Sequence, residues 1–219
     1  MVAEEGNPGM LPAAKPKRRH VEMLAAAAKV FARRGYHGAS TQDIADVLGI
    51  RQASLYYYFH SKEAALEAVC TVGVEDYAKH PQAIAGQRVS AADKVAQLVF
   101  RHLAPLAERQ DYTVVFLRER RFLPPPARER IRAIERRYER LIERIIQQGI
   151  DGGELRADLD ARMATLALLG LGNSAAAWYG REPGVTLERI TRDYVDLLVR
   201  AFRKGAAPVY SLEPSRRRA

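Results

Sequence analysis

Ten polar and aromatic side chains lie between residues 41 and 62, and their types suit the binding of a nucleic acid. The stretch from Gln52 to Lys62 contains an amide, two serines, three successive tyrosines, a histidine and a lysine. Amides and hydroxyls can contact base edges or the sugar–phosphate backbone, while imidazole and ammonium groups bind phosphates. Three adjacent tyrosines cannot all point into one core, which favours a binding surface over a plain helical hairpin. The candidate DNA-binding residues are Thr41, Gln42, Arg51, Gln52, Ser54, Tyr56, Tyr57, Tyr58, His60 and Lys62.

Two short helices are predicted to position these side chains. Ser40 or Thr41 can cap the first helix, and Gly49 should end it, because the residue after a helix often needs a positive φ. The second helix begins near Gln52 and presents its polar groups at its N-terminal end. Each helix also has apolar residues at helical spacing: Ile44, Val47 and Leu48 in the first, and Leu55 and Phe59 in the second. This pattern predicts a helix-turn-helix, whose second helix enters the major groove of DNA.

The positive charge of the chain is concentrated around this motif. The 219 residues carry a formal net charge of +9 at pH 7. Residues 15–62 contain nine lysines and arginines and three acidic residues, which gives that stretch a net charge of +6. A basic surface suits an anionic partner without distinguishing nucleic acid from membrane or acidic protein. Its coincidence with the helix-turn-helix favours DNA, and a basic protein that coats DNA without a specific site stays open as an alternative.

Other classes of function find little support in the sequence. Cys70 is the only cysteine, which argues against a disulfide framework and a thiolate zinc site. The five histidines lack metal-ligand spacing and no serine lies in a nucleophile elbow, so we expect no metal, no cofactor and no catalytic residue. The N-terminus does not resemble a signal peptide, and the longest apolar run, 163–172, is far shorter than the ~20 residues of a membrane span. We therefore expect a cytoplasmic protein that does not insert into a membrane.

The rest of the chain is predicted to form helices separated by glycines and prolines. Gly35 should end a first helix that begins near residue 18, and Ser61 should cap a helix that connects the motif to the remainder. Pro105 should kink or end a later helix, and residues 127–148 have the clearest amphipathic pattern. We expect a disordered tail over 1–14, a helix-turn-helix DNA-binding domain over 15–62, a helical domain over 63–203 and a loose tail over 204–219.

Two C-terminal helices carry more apolar surface than one chain is expected to cover. Residues 163–179 are apolar nearly all round and rich in small side chains, which let a second helix approach closely. The last helix, which begins at Thr186, has its apolar residues on one face. We therefore expect an isologous dimer interface at these helices. The candidate interface residues are Leu168, Gly172, Ala175, Ala176, Tyr194, Leu197, Leu198 and Phe202.

The motif resembles the DNA-binding domain of the tetracycline-repressor (TetR) family of bacterial regulators. The resemblance rests on Phe-Ala-Arg-Arg-Gly-Tyr-His-Gly at 31–38, Thr-Gln-Asp-Ile-Ala-Asp-Val-Leu-Gly-Ile at 41–50 and Ser-Leu-Tyr-Tyr-Tyr-Phe-His-Ser-Lys-Glu at 54–63. It covers about residues 18–70; beyond them the similarity is one of helix layout and local patterns. It implies an all-α fold with an N-terminal three-helix helix-turn-helix DNA-binding domain plus a C-terminal helical ligand-binding and dimerisation domain.

The same resemblance implies a homodimeric repressor that binds palindromic operator DNA, a double-stranded partner, and is released by a small-molecule effector. In this family the effector lies between helices of the second domain. Some polar and aromatic residues lie on helix faces whose other residues are predicted to be buried in the core, and these are therefore candidates to line the pocket. They are His102, Tyr112, Phe116, Arg118, Arg121, Phe122, Asn173, Trp178 and Tyr179.

The expected effector is an acyl-CoA. Residues 118–126 and 170–179 resemble the corresponding stretches of family members that sense CoA thioesters. Arginines at 118, 120 and 121 would suit the phosphates of CoA, and would equally suit a solvated helix end. A sensor of hydrophobic drugs or free acids is the alternative. An architectural DNA-binding protein and an enzyme are remote alternatives, which selection of bound DNA sequences and turnover of a small molecule would reveal.

Overall fold

The computed structural model describes residues 16–205, without the side chains of residues 16, 17 and 76, and this part of the chain is all-α as predicted. The predicted tail over 1–14 and most of that over 204–219 lie outside the described residues. No helix within 16–205 is long and apolar enough to cross a membrane. The helices are α1 Pro16–Gly38, α2 Thr41–Leu48, α3 Gln52–Tyr56, α4 Lys62–Ala78, α5 His80–Ala85, α6 Ala91–Leu103, α7 Pro105–Glu108, α8 Gln110–Glu119, α9 Pro125–Asp151, α10 Ala161–Trp178 and α11 Leu187–Phe202, with a 3₁₀ turn at Arg120–Phe122.

Local signals place the helix-turn-helix where the sequence predicted it. The Ser40 hydroxyl accepts a hydrogen bond from the Asp43 N–H, and the Asp43 carboxylate accepts one from the Ser40 N–H, so a capping box begins α2. Hydrogen bonds to its carboxylate from the Ser40 hydroxyl and then from the Ser40 N–H hold the pKa of Asp43 below its usual value. Gly49 ends α2 with φ 64°. Val47 was predicted to face inward and is instead 50% exposed, because the pair of short helices buries a narrower stripe centred on Ile44 and Ala45.

The remaining helices form a bundle that packs directly on α1. Helix α4 contacts α1 on one side and α8 and α9 on the other, and α1 also packs on α8. A proline begins α7 directly after α6, and the 27-residue α9 buries the predicted stripe that includes Ile142 and Ile146. One apolar core runs from Met23 in α1 to Phe202 in α11. The domain boundary at residues 62 and 63 therefore stays a prediction, since the core is continuous across it.

The inward face of α10 differs from the prediction. Leu168, Gly172, Ala175, Leu198 and Phe202, which were assigned to the dimer interface, are buried within the protomer itself. The absence of a side chain at Gly172 allows close contact with α6 of the same chain, because a Cβ there would lie 2.1 Å from His102 Cδ2. A helix that is apolar all round gives no sequence signal for which face is inward. These five residues pack within the protomer, and their place in a dimer interface stays a prediction.

The opposite face of α10 is open. Met163 is 61% exposed, and Leu166, Ala167, Gly170 and Ser174 continue the exposed stripe at helical spacing. On α11, Leu197 is 54% exposed and Tyr194 is half-buried. Tyr194 and Leu197 thus keep their predicted position at an open surface, as does the half-buried Ala176.

Candidate DNA-binding face and ligand cleft

The exposed end of α3 brings most of the predicted DNA-binding residues to one surface. Tyr57 is 88% exposed, and Tyr56 and Ser54 are also exposed. Arg51 and His60, at the two ends of this segment, are open to solvent as well. Their side chains can contact a groove and its phosphates without rearrangement of the core. Tyr58 is half-buried, with its ring centroid 5.4 Å from that of Tyr57 and 6.4 Å from that of His20.

Three of the predicted contacts hold one another in place. Gln52 Nε2 donates a hydrogen bond to Thr41 Oγ1 at 2.7 Å, and the Tyr56 hydroxyl lies 3.4 Å from the same oxygen. These bonds fix the N-terminal end of α3 against the start of α2. Gln42 donates to Asp46 at 2.6 Å on the exposed side of α2. The polar surface is thus partly ordered before it meets DNA, which lowers the entropic cost of binding.

Lys62 has a structural role that the sequence reasoning missed. Its Nζ donates to the carbonyl oxygens of Tyr36 and Ala39, each at 3.0 Å, and lies 4.4 Å from the Tyr36 ring centroid. Two of its three N–H groups are therefore used to satisfy carbonyls at the end of α1. A contact between the third N–H of Lys62 and a DNA phosphate stays a prediction.

A basic cleft of about 440 Å³ opens between the C-terminal part of α8, the 3₁₀ turn and the first half of α9. Arg118 and Arg121, both predicted, line it. Arg128 and Arg132 of α9 line it too, although the sequence analysis did not single them out; their i, i+4 spacing places them on one side of that helix. Glu119 and Glu135 add negative charge, and Glu135 pairs with Arg120 at 3.3 Å. The full lining is Leu117, Arg118, Glu119, Arg120, Arg121, Arg128, Ile131, Arg132 and Glu135.

A smaller inner cavity of about 50 Å³ adjoins the cleft, since Glu135 lines both. His102 lies at its centre: Nδ1 is 2.9 Å from the Tyr138 hydroxyl and Nε2 is 3.2 Å from Asn173 Oδ1. Burial lowers the pKa of His102 to about 4, against the raising effect of the Asn173 bond, so the ring is neutral at pH 7. Tyr77 and Tyr138 also line this cavity but were not predicted from the sequence, because their spacing fits that of core residues. The lining is Val74, Tyr77, His102, Phe116, Glu135, Tyr138, Glu139, Leu169 and Asn173.

Four predicted pocket residues line neither space. Tyr112, Trp178 and Tyr179 are half-buried and pack against the apolar core. Phe122 instead stacks on Tyr36 at a centroid distance of 5.6 Å, where the 3₁₀ turn meets α1. A ligand-binding role for these four stays a prediction, because aromatic residues at helix edges can fill gaps between elements as well as bind ligands. Among the described residues, no three His, Cys, Asp or Glu side chains cluster as a metal site.

Comparisons with known proteins agree with this geometry. Residues 23–69 match the family described as bacterial regulatory proteins, tetR family, and residues 88–202 match the tetracyclin repressor-like C-terminal domain. The fatty acid metabolism regulator protein of Bacillus subtilis is 25% identical over 84% of this chain and 96% of its own. The repressor KstR2 of Rhodococcus jostii is 26% identical over 83% and 89%. The structure of AibR in complex with isovaleryl coenzyme A and operator DNA superposes with a TM-score of 0.75, at 22% identity over 83% of this chain and 98% of that one.

Proposed function

Since the chain belongs to the TetR family of bacterial regulators, which bind operator DNA as dimers and respond to small molecules, we propose that it is a repressor released by an acyl-CoA. The basic cleft beside the His102 cavity carries this proposal. The cleft would hold the phosphates of CoA and the inner cavity would receive the acyl end. The fatty acid regulator and the AibR complex with isovaleryl coenzyme A, each similar in fold to this chain, support an effector of this class.

The charge of the cleft favours CoA over the other effectors considered. Five arginines line it, and guanidinium groups bind phosphates through charge-assisted, often bidentate hydrogen bonds. A free acid offers one carboxylate, and an uncharged drug offers none. A free acid would pair with only one of these guanidinium groups, whereas CoA presents phosphate oxygens to several of them. The apolar side chains of Val74, Phe116 and Leu169 suit the acyl end.

For the DNA-binding face, we assign Gln52, Ser54, Tyr56 and Tyr57 to base edges or the adjoining backbone, with exposed Arg51 and His60 on phosphates. Selection of bound sequences from a random DNA pool should yield a palindrome. Gln52→Ala should relax preference at one base position in each half-site, whereas His60→Ala should weaken all duplexes alike. Equal enrichment of all sequences would instead favour a protein that coats DNA without a specific site.

The effector is tested by titrating acetyl-, isovaleryl- and stearoyl-CoA, free CoA, the corresponding acids and hydrophobic drugs against the protein–operator complex. Arg132→Ala should weaken the effective thioester about tenfold, the loss of roughly one charge-assisted hydrogen bond. Arg144→Ala, a change on an exposed part of α9 outside the cleft, is the matched control and should change nothing. Release by acids or drugs alone would reject the acyl-CoA assignment.

A further inference from the structure

Tyr36 joins three helices at the end of α1. Gly35 takes φ 68° and ψ 169°, which interrupts the helix and turns the Tyr36 N–H away from it. That N–H donates to Glu119 Oε2 of α8 at 2.9 Å. The Tyr36 carbonyl accepts from Lys62, and its hydroxyl donates to Glu63, both at the start of α4. Burial and the neighbouring Glu63 raise the pKa of Tyr36 to about 12, so it stays a donor over the physiological range.

The same contact reaches the basic cleft. Glu119 is a lining residue of the cleft as well as the acceptor for Tyr36. Three residues after Glu119, Phe122 stacks on Tyr36. Its ring also meets the His37 ring edge-on, with 4.5 Å between the ring centroids. The guanidinium of Arg121, also a lining residue, lies 4.7 Å from the Phe122 ring centroid. A group that enters the cleft therefore touches the residues that hold the end of α1.

We propose that the Glu119 carboxylate couples the cleft to the DNA-binding helices: an anion bound by the arginines repels it and weakens its bond to the Tyr36 N–H. This inference rests on the proposed function and assigns its regulation. Phosphates held by Arg118 and Arg121 would place negative charge beside Glu119. Like charges in a partly buried cleft are poorly screened, so the carboxylate is less stable in its present position once the anion is bound.

A weakened Glu119 contact changes the position of the DNA-binding helices. The Tyr36 N–H then needs another acceptor, because a buried unpaired N–H is costly. The end of α1 can find one by moving, and α4 moves with it through Lys62 and Glu63. The ligand thus favours the released arrangement and the bound operator favours the intact contact. The two effects are reciprocal, as linkage requires.

The test compares Glu119→Gln with Glu135→Gln. Both remove one negative charge from the same cleft, but Glu135 pairs with Arg120 of the 3₁₀ turn, whereas Glu119 accepts from the end of α1. The probe is whichever of acetyl-, isovaleryl- and stearoyl-CoA releases the wild-type protein at the lowest concentration. Calorimetry on the free protein measures its affinity, and fluorescence anisotropy measures operator affinity with and without saturating probe.

Glu119→Gln keeps an amide oxygen for Tyr36 and removes the repulsion. We expect its operator affinity without ligand to stay within about threefold of wild type, and probe binding to tighten several-fold. The probe-induced loss of operator affinity should shrink at least tenfold. Glu135→Gln should also bind the probe more tightly but should be released normally. Glu119→Ala removes the contact and should lower operator affinity at least tenfold without any ligand, with an unchanged circular dichroism spectrum.

Normal release of Glu119→Gln by the probe, or wild-type operator affinity of Glu119→Ala, would overturn the coupling role while leaving the proposed effector intact. Equal loss of release in Glu119→Gln and Glu135→Gln would also overturn it, since the effect would then belong to cleft charge in general. A wild-type protein that binds none of the thioesters would overturn the proposed function and this inference together.

Discussion

Two neighbouring leucines on α11 distinguish the core of the protomer from the open surface that we propose as the dimer face. Leu198 is 4% exposed, while Leu197 is 54% exposed. An arginine at 198 must bury its guanidinium or displace α11. At 197 it stays in water in the isolated protomer, but it enters the interface of a dimer built on this face. Leu198→Arg should therefore unfold the protomer, and Leu197→Arg should only separate the subunits.

The expected energies differ by an order of magnitude. A fully buried leucine stabilises a fold by roughly 1.5–3 kcal/mol, and an unpaired charge in its place adds several more. A loss of about 5 kcal/mol or more is comparable with the roughly 5–15 kcal/mol that stabilises a typical domain. An exposed substitution such as Leu197→Arg usually costs within about 0.5 kcal/mol. In an isologous dimer, however, that arginine occurs twice at the interface, so repulsion and lost apolar contact both oppose assembly.

Thermal melts followed by circular dichroism, sedimentation velocity and operator binding test both variants. Leu197→Arg should melt within a few degrees of wild type, sediment as a monomer and fail to protect a palindromic site. Leu198→Ala is the milder core control and should cost roughly 2–5 kcal/mol. A dimeric Leu197→Arg, or a Leu198→Arg that melts like wild type, would refute this assignment of the two faces.

Three further predictions concern single contacts within the protomer. Gly172→Ala places a Cβ 2.1 Å from His102 Cδ2 and should destabilise by about 1–3 kcal/mol in urea unfolding, whereas Gly170→Ala, which meets open space, should not. Because the pKa of His102 is about 4 in the folded protein, against an ordinary value of 6.5, the unfolded chain takes up a proton first as pH falls. Stability should therefore drop between these values by at most about 3 kcal/mol, and His102→Gln should flatten that drop in urea unfolding from pH 7 to 4. Lys62→Met removes both bonds to carbonyls and should lower stability by roughly 1–3 kcal/mol in thermal melts, a loss that a phosphate contact alone would not produce.

Local chemistry was sufficient to predict the helix-turn-helix. Gly49 ends α2 because a left-handed residue after a helix favours glycine, and the Ser40 hydroxyl caps the same helix because its partner is three residues away. The break at Gly35 and the start of α7 at Pro105 are equally local. Each of these features depends on neighbours within a few positions, which a single sequence displays directly.

Features that depend on distant contacts were not visible in the sequence. Arg128 and Arg132 face α8 across the cleft, but the same residues would fit a solvated face of α9. The role of Lys62 depends on carbonyls 23 and 26 residues earlier in the chain. The inward face of α10 depends on where His102 of α6 approaches it. Periodicity shows that a helix has an apolar face, and only the packing of the bundle decides what that face contacts.

The arrangement of apolar and polar contacts explains how one protein can be both rigid and responsive. The apolar core is continuous from α1 to α11, so a displacement of α8 is passed on by close-packed side chains. At the end of α1, in contrast, the helices are also joined by individual polar contacts to Glu119, Lys62 and Glu63. To lower the fraction of protein in the operator-binding arrangement from 99% to 1%, a ligand must bind the released arrangement more tightly by about 5.5 kcal/mol. A ligand of equal affinity for both arrangements shifts nothing. Weakening a few charge-assisted bonds of roughly 1.5–3 kcal/mol each can supply that difference, whereas repacking the core would cost far more. A response to charge in the cleft therefore requires the switch to lie at the polar junction and the core to transmit the movement unchanged.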